Sequence, residues 1–205
     1  RPERLVGIHF FNPVAMMPLV EVVAADGADP AMVQAACAFV RQIDKLPLPV
    51  RSEPGFLVNA VLAPYMLEAM RAVDEGISPE TVDEAMLAFG MPMGPIELAD
   101  TVGLDIAVAA GKQLADGAEA PRCLLARVDK GQLGKKTGQG FYAWTGGKAQ
   151  KGRAGMPPDG LAARVPADRA AGLGLPGAHR EGRARRRVDG APVLLAPIAV
   201  GAVAA

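Results

Sequence analysis

Three apolar runs too short for helices, with one well-capped helical stretch between the second and third, open the chain and set its first fold class. Residues 5–10 read as a strand, residues 19–23, rich in valine, as a second, and residues 46–50 as a third. Between the last two, Asp29 supplies an N-cap and Pro30 a first-turn residue, and Val33, Ala36, Cys37 and Val40 fall at helical spacing. Pro47 and Pro49 have no N–H to give a sheet, which places the third run at an edge. Strand, strand, helix, strand over residues 1–53 predicts an α/β unit.

From Pro54 to Trp144 the pattern turns helical throughout. Residues 56–73 predict a long helix, with Pro64 inside it and a kink near Ala60. Ser78 caps the next, with Pro79 at its first position and Glu80 and Glu84 favouring its N-terminal end. Residues 92–95 break the run before a short helix at 96–100, and residues 104–115 predict a further one. The Gly/Lys-rich stretch 134–140 has the look of a phosphate loop. No strand precedes it and the Walker spacing is absent, so it reads as a structural closing loop ending in Phe141-Tyr142.

Residues 145–164 read as a linker, and residues 165–205 sustain neither helical nor strand periodicity. That last stretch is built from Ala, Gly, Val, Leu, Pro, Arg, Asp, Glu, His and Ile alone. An irregular or disordered tail is expected, poorly packed from Gly152 onward. GC-rich DNA read out of frame gives this composition, and a shifted reading frame is one explanation of it. A genuine low-complexity appendage, with the basic cluster 183–187 as a binding patch, is the other.

Half of the 205 residues are hydrophobic, 21% are charged and the formal net charge is zero, a globular balance with no basic field to hold nucleic acid. Cys37 and Cys123 form no CxxC pair and read as reduced thiols, not as a disulfide or metal site. The longest apolar stretch, residues 193–205, is too short for a membrane span and carries a proline. With no leader peptide before the first strand, a cytoplasmic location is the default expectation. Because the chain starts at Arg1, inside a pattern, a fragment is expected.

His9 ends the first strand and Glu21 stands among Leu19, Val20, Val22 and Val23 in the second. A strand-end histidine is often a structural hydrogen-bonder, and a glutamate can face solvent. A carboxylate in a Val-rich strand is otherwise costly unless paired. If adjacent strands set Glu21 beside His9, it holds one imidazole tautomer and makes the other nitrogen a general base.

The hexad His9-Phe10-Phe11-Asn12-Pro13-Val14, followed by Met17-Pro18-Leu19-Val20-Glu21-Val22-Val23, resembles the signature of the 3-hydroxyacyl-CoA dehydrogenase family. Pro54-Gly55-Phe56-Leu57-Val58-Asn59, Gly90-Met91-Pro92-Met93-Gly94-Pro95 and Lys135-Lys136-Thr137-Gly138-Gln139-Gly140-Phe141-Tyr142 continue the resemblance to about Trp144. It implies that residues 1–53 are the last strands of a Rossmann-type NAD-binding domain and residues 54–144 an all-α C-terminal domain. It also implies a catalytic dyad of His9 and Glu21, and Asn59 as the hydrogen-bonder of the substrate oxygen. Asn12 is expected to shape the site from the turn after His9. The reaction implied is NAD-dependent oxidation of a (3S)-hydroxyacyl-CoA to the 3-ketoacyl-CoA in fatty-acid β-oxidation. The family's usual arginine after the asparagine is Ala60 here, a departure that bears on packing rather than chemistry.

Residues 15–18 and 157–164 look most like the bacterial multifunctional fatty-acid oxidation proteins, which implies a multifunctional complex or homo-oligomer as the intact state. No G-x-G-x-x-G follows a strand-like run, so no cofactor-binding residue is assigned. The chain alone is expected to be inactive, with its sheet edge prone to associate. Two rival readings stay open: a stand-alone 3-hydroxybutyryl-CoA dehydrogenase, and a non-catalytic helical dimerisation module.

Overall fold

The computed structural model describes residues 1–114 and 119–165. Strand β1 (Val6–Phe10) runs antiparallel to β2 (Leu19–Ala24), and β3 (Leu46–Arg51) lies parallel to β2 on its other side. Helix α1 (Pro30–Gln42) makes the crossover from β2 to β3. Val20 and Val22 are fully buried and pack with Cys37 and Val40 of α1 in one small core. Side chains alternate along a strand, so Glu21 and Val23 face away from α1.

The edge expected for β3 is observed, and its prolines are placed where they do no harm. Leu46 N–H donates to the Pro18 carbonyl at 2.7 Å and Ser52 N–H to that of Ala24 at 3.1 Å. Even-numbered donors therefore face β2, and Pro47 and Pro49 turn their missing N–H positions to the open side. Of the two edges, that of β1 keeps its donors for a further strand.

Five helices follow: α2 (Val58–Asp74), α3 (Pro79–Phe89), α4 (Pro95–Val102), α5 (Leu104–Leu114) and α6 (Arg122–Val128). They enclose a second core that includes Tyr65, Met70, Val82, Met86, Ile96, Leu104 and Leu124. Helix α2 runs continuously through Pro64. Helices α1 and α3 carry their own caps, Asp29 accepting from Ala31 N–H and Ser78 from Thr81 N–H. Helices α2, α4 and α6 have no side-chain cap at their own N-cap residues, Leu57, Gly94 and Pro121. Each is capped instead by a carboxylate from another element. Glu21 takes the N–H groups of Leu57 and Val58, Asp83 those of Ile96 and Glu97, and Asp74 those of Arg122 and Cys123. Six donors that a helix end leaves unpaired are thereby satisfied, and three helices are tied to their neighbours.

The 134–142 stretch closes this core, as its sequence predicts. Fully buried Asp100 accepts from the N–H groups of Phe141 and Tyr142 and from Nε1 of Trp144. Strands β4 (Ala143–Thr145) and β5 (Lys148–Gln150) then form a hairpin. Lys151 beyond it reaches buried Asp83 at 3.0 Å and Glu97 at 2.7 Å.

Poor packing from Gly152 onward is the expectation that the structure overturns, as far as residue 165. The N–H groups of Gly152 and Gly155 donate to Glu80 and to Thr81 Oγ1. Residues 161–165 form a helical turn that buries Leu161 and Val165 in the second core, and Arg164 pairs with Glu68 within α2 and with Glu75 at its C-cap. Four-residue spacing puts Leu161 and Val165 on one face, a signal too short to stand out beside the composition of the tail. The disordered or frame-shifted tail and its basic cluster 183–187 lie outside the described residues. Among the described residues no helix is long and apolar enough to cross a membrane, and no group of three His, Cys, Asp or Glu side chains is placed to hold a metal.

Candidate active site

His9 and Glu21 sit directly opposite each other in the β1–β2 register, and paired residues of adjacent strands point to the same face. Nδ1 of His9 lies 2.8 Å from Oε2 of Glu21. The His9 side chain is 25% exposed and that of Glu21 is fully buried. The other carboxylate oxygen, Oε1, accepts from Leu57 N–H at 3.0 Å and Val58 N–H at 2.9 Å at the start of α2. A carboxylate is acceptor-only and satisfies all three donors at once. Because its role toward His9 is to accept, the imidazole proton is set on Nδ1 and the lone pair on Nε2. The N-terminal end of a helix of 17 residues adds a favourable field at a buried anion.

Two aromatic rings wall the imidazole. Phe11, from the same strand end, meets it edge-on with ring centroids 4.8 Å apart, and Phe56, from the turn into α2, stands at 5.3 Å. Phe56 has φ 48°, one of two non-glycine residues in the left-handed region among those described. Asn59, half-buried in the first turn of α2, follows directly on the N–H that Glu21 accepts. The side chain of Asn12 is exposed in the loop after β1. Lys45 fastens that loop, donating to the carbonyls of Val14 at 2.6 Å and Met17 at 2.9 Å. Neither Phe56 nor Lys45 was singled out from the sequence. Gly55 is the local signal that could have marked the turn.

The one parallel crossover among the described residues does not suit the pyrophosphate of a dinucleotide. The parallel crossover here is β2–α1–β3, and its strand-to-helix loop, residues 25–29, contains one glycine, Gly27, beside Asp26 and Asp29. Asp29 occupies the first free N–H of α1. Phosphate needs open N–H groups and close backbone approach, and two carboxylates repel it. The bare spacing G-x-G-x-x-G occurs at residues 172–177, outside the described residues.

A buried carboxylate thus holds a strand-end imidazole, on an α/β unit joined to a helical one. Residues 1–53 match the family described as 3-hydroxyacyl-CoA dehydrogenase, NAD binding domain, and residues 55–144 its C-terminal domain. The chain belongs to the 3-hydroxyacyl-CoA dehydrogenase family, whose members are NAD-dependent oxidoreductases. It is 38% identical over 157 residues to the fatty acid oxidation complex subunit alpha of Idiomarina loihiensis, covering 75% of this chain and 22% of that protein. It is 41% identical over 151 residues to the protein of that name from Shewanella sp. strain ANA-3, covering 72% and 21%. The chain thus spans about a fifth of the length of these curated relatives. Among solved structures, 3-hydroxybutyryl-CoA dehydrogenase from Escherichia coli is similar with TM-score 0.68 at 37% identity, over 76% of this chain and 34% of that one. The (S)-3-hydroxybutyryl-CoA dehydrogenase of Ralstonia eutropha gives 0.65 at 38%, over 70% and 53%.

Proposed function

We propose that this chain carries the base half of an enzyme that oxidises (3S)-hydroxyacyl-CoA to 3-ketoacyl-CoA in fatty-acid oxidation, and that residues 1–53 are the closing strands of its dinucleotide-binding sheet. The observation that carries the reading is the 2.8 Å contact of His9 Nδ1 with a fully buried carboxylate that is itself held by two helix N–H groups. In this reading Nε2 of His9 takes the proton from the 3-hydroxyl as the hydride leaves C3. Glu21 stabilises the imidazolium that forms, through a short charge-assisted hydrogen bond in a water-poor setting. Asn59, at the same end of α2, donates its amide to the reacting oxygen, and Asn12 borders the site from the loop. NAD, when bound to the complete enzyme, accepts the hydride.

The test is a reconstitution. The 205-residue chain alone is expected to oxidise no NADH with acetoacetyl-CoA. A protein joining a family dinucleotide-binding half to this chain at Arg1 is expected to do so, and His9→Gln in it is expected to reduce kcat by about 10²-fold or more. Full turnover by the joined His9→Gln protein would remove the assignment. The likeness to the fatty acid oxidation complex subunits favours a long assembly over a stand-alone short-chain enzyme.

A further inference from the structure

We propose that Phe56 is a positioning residue for the base, acting through its backbone on Glu21 and through its ring on His9. This rests on the reading of His9 as the base and goes beyond it by assigning work to the turn that joins the sheet to α2.

The backbone argument starts from φ. Gly55 and Phe56 stand in sequence at φ 75° and 48°, so the chain turns left-handed twice before α2 begins. Glycine adopts that region freely, whereas a bulky aromatic residue stays there only where its surroundings hold it. The turn is closed by Phe56 N–H donating to the Glu53 carbonyl at 2.9 Å. Its effect is to aim two successive N–H groups, of Leu57 and Val58, at one oxygen of Glu21. Gly55 has no room for a side chain: a Cβ there would lie 2.8 Å from Leu114 Cδ2 and 3.0 Å from Ala60 N. The turn is therefore fixed from the helical side as well.

The ring argument concerns where the imidazole can go. Glu21 fixes one nitrogen of His9, which leaves rotation of the ring about its side-chain bonds. Phe11 sits on the same strand end and moves with the base. Phe56 approaches from the helical unit, its centroid 5.3 Å from the imidazole at 60°. It is the wall that keeps Nδ1 on Glu21 and Nε2 turned away from it. An aromatic pair of this kind corresponds to about five-fold in the population of the swung-out ring.

The experiment uses the full 205-residue chain uniformly labelled with ¹⁵N, so that the histidine ring nitrogens and the backbone amides are read together. The chain has two histidines, His9 and His179, so a His179→Gln variant identifies the His9 signals. Ring-nitrogen shifts report the tautomer, and solvent exchange of the Nδ1 proton reports how firmly it is held. Phe56→Gly removes the ring but suits the left-handed backbone, so the fold and the Leu57 and Val58 amides should stay protected while His9 Nδ1–H exchanges about five-fold faster. Phe56→Ala is expected to give the same change and, in addition, loss of protection at Leu57 and Val58. Phe56→Tyr is expected to restore the wild-type signature. His9 signals and exchange unchanged in both Phe56→Gly and Phe56→Ala would overturn the proposal. The base reading is checked separately in the same spectra. It fails where wild-type His9 lacks an Nδ1 proton or ignores Glu21→Gln, whereas silent Phe56 variants beside a responsive Glu21→Gln sink the positioning role alone.

Discussion

Replacing Glu21 separates its two jobs, and the structure sets the size of each. In Glu21→Ala the N–H of Val58, at a residue 3% exposed, loses its acceptor inside the protein, which costs about 1–3 kcal/mol. The N–H of Leu57, at a residue 38% exposed, can turn to water and costs about 0.5–1 kcal/mol. A void opens beside Val23 and the imidazole, so the sum is about 2–4 kcal/mol. Glu21→Gln keeps an oxygen for both N–H groups and loses the anion at the helix end, about 0.5–1 kcal/mol. Its amide NH₂ then faces Nδ1 of His9, which must give up its proton to Nε2. Urea unfolding of the 205-residue chain, followed by far-UV circular dichroism and by the single Trp144, measures both. Glu21→Ala should also make the two probes diverge, because the carboxylate joins the sheet to the helical core. If Glu21→Ala and Glu21→Gln lose the same stability within 0.5 kcal/mol and the probes stay coincident, the capping role of Glu21 is refuted.

Burial pushes the Cys123 thiol up to about 12, with the Asp74 carboxylate adding to it. Against an ordinary value of 9.0 this leaves about a thousand-fold less thiolate near pH 8, so iodoacetamide labelling mapped by mass spectrometry should leave Cys123 essentially unmodified in the folded chain. Burial lowers the pKa of Lys151, but Glu97 and Asp83 outweigh it and the net shift is upward from 10.5. A group raised in the folded state gives stability that is whole below 10.5 and lost as pH climbs through the folded value. The drop in urea midpoint between pH 9 and pH 11 should therefore be smaller in Lys151→Met than in wild type. Gly94→Ala puts a methyl into the Asp83 carboxylate that caps α4, and should cost about 2–3 kcal/mol in the same unfolding assay, where a loss under 0.5 kcal/mol would contradict the packing.

What the sequence shows of this fold divides by reach along the chain. Strands β1 to β3, the caps Asp29 and Ser78 and the closing loop are legible because their signals lie within a few residues. His9 and Glu21 are legible because strand alternation and a twelve-residue gap bring them together once β1 and β2 pair. The caps of α2, α4 and α6 are not, because each comes from 13 to 49 residues away and looks locally like an ordinary acidic side chain. Helix α6 has seven residues and no cap of its own, too short for periodicity to announce it. The structure starts α2 at Val58, whereas by its sequence Phe56 opens the long helix of residues 56–73. Its left-handed backbone follows from the turn built around it, and Gly55 alone hints at that turn. Residues 161–165 were hidden by the composition that surrounds them.

The turnover of Glu21→Gln in a protein that joins a dinucleotide-binding half to this chain tests the proposed base most directly. The amide leaves the fold in place and puts the imidazole proton on the wrong nitrogen. With (3S)-hydroxybutyryl-CoA and NAD, kcat is expected to fall by about 10²- to 10⁴-fold while KM stays within about three-fold. An unchanged kcat, or a loss confined to KM, would contradict the assignment of His9 and Glu21 as the proton-accepting pair.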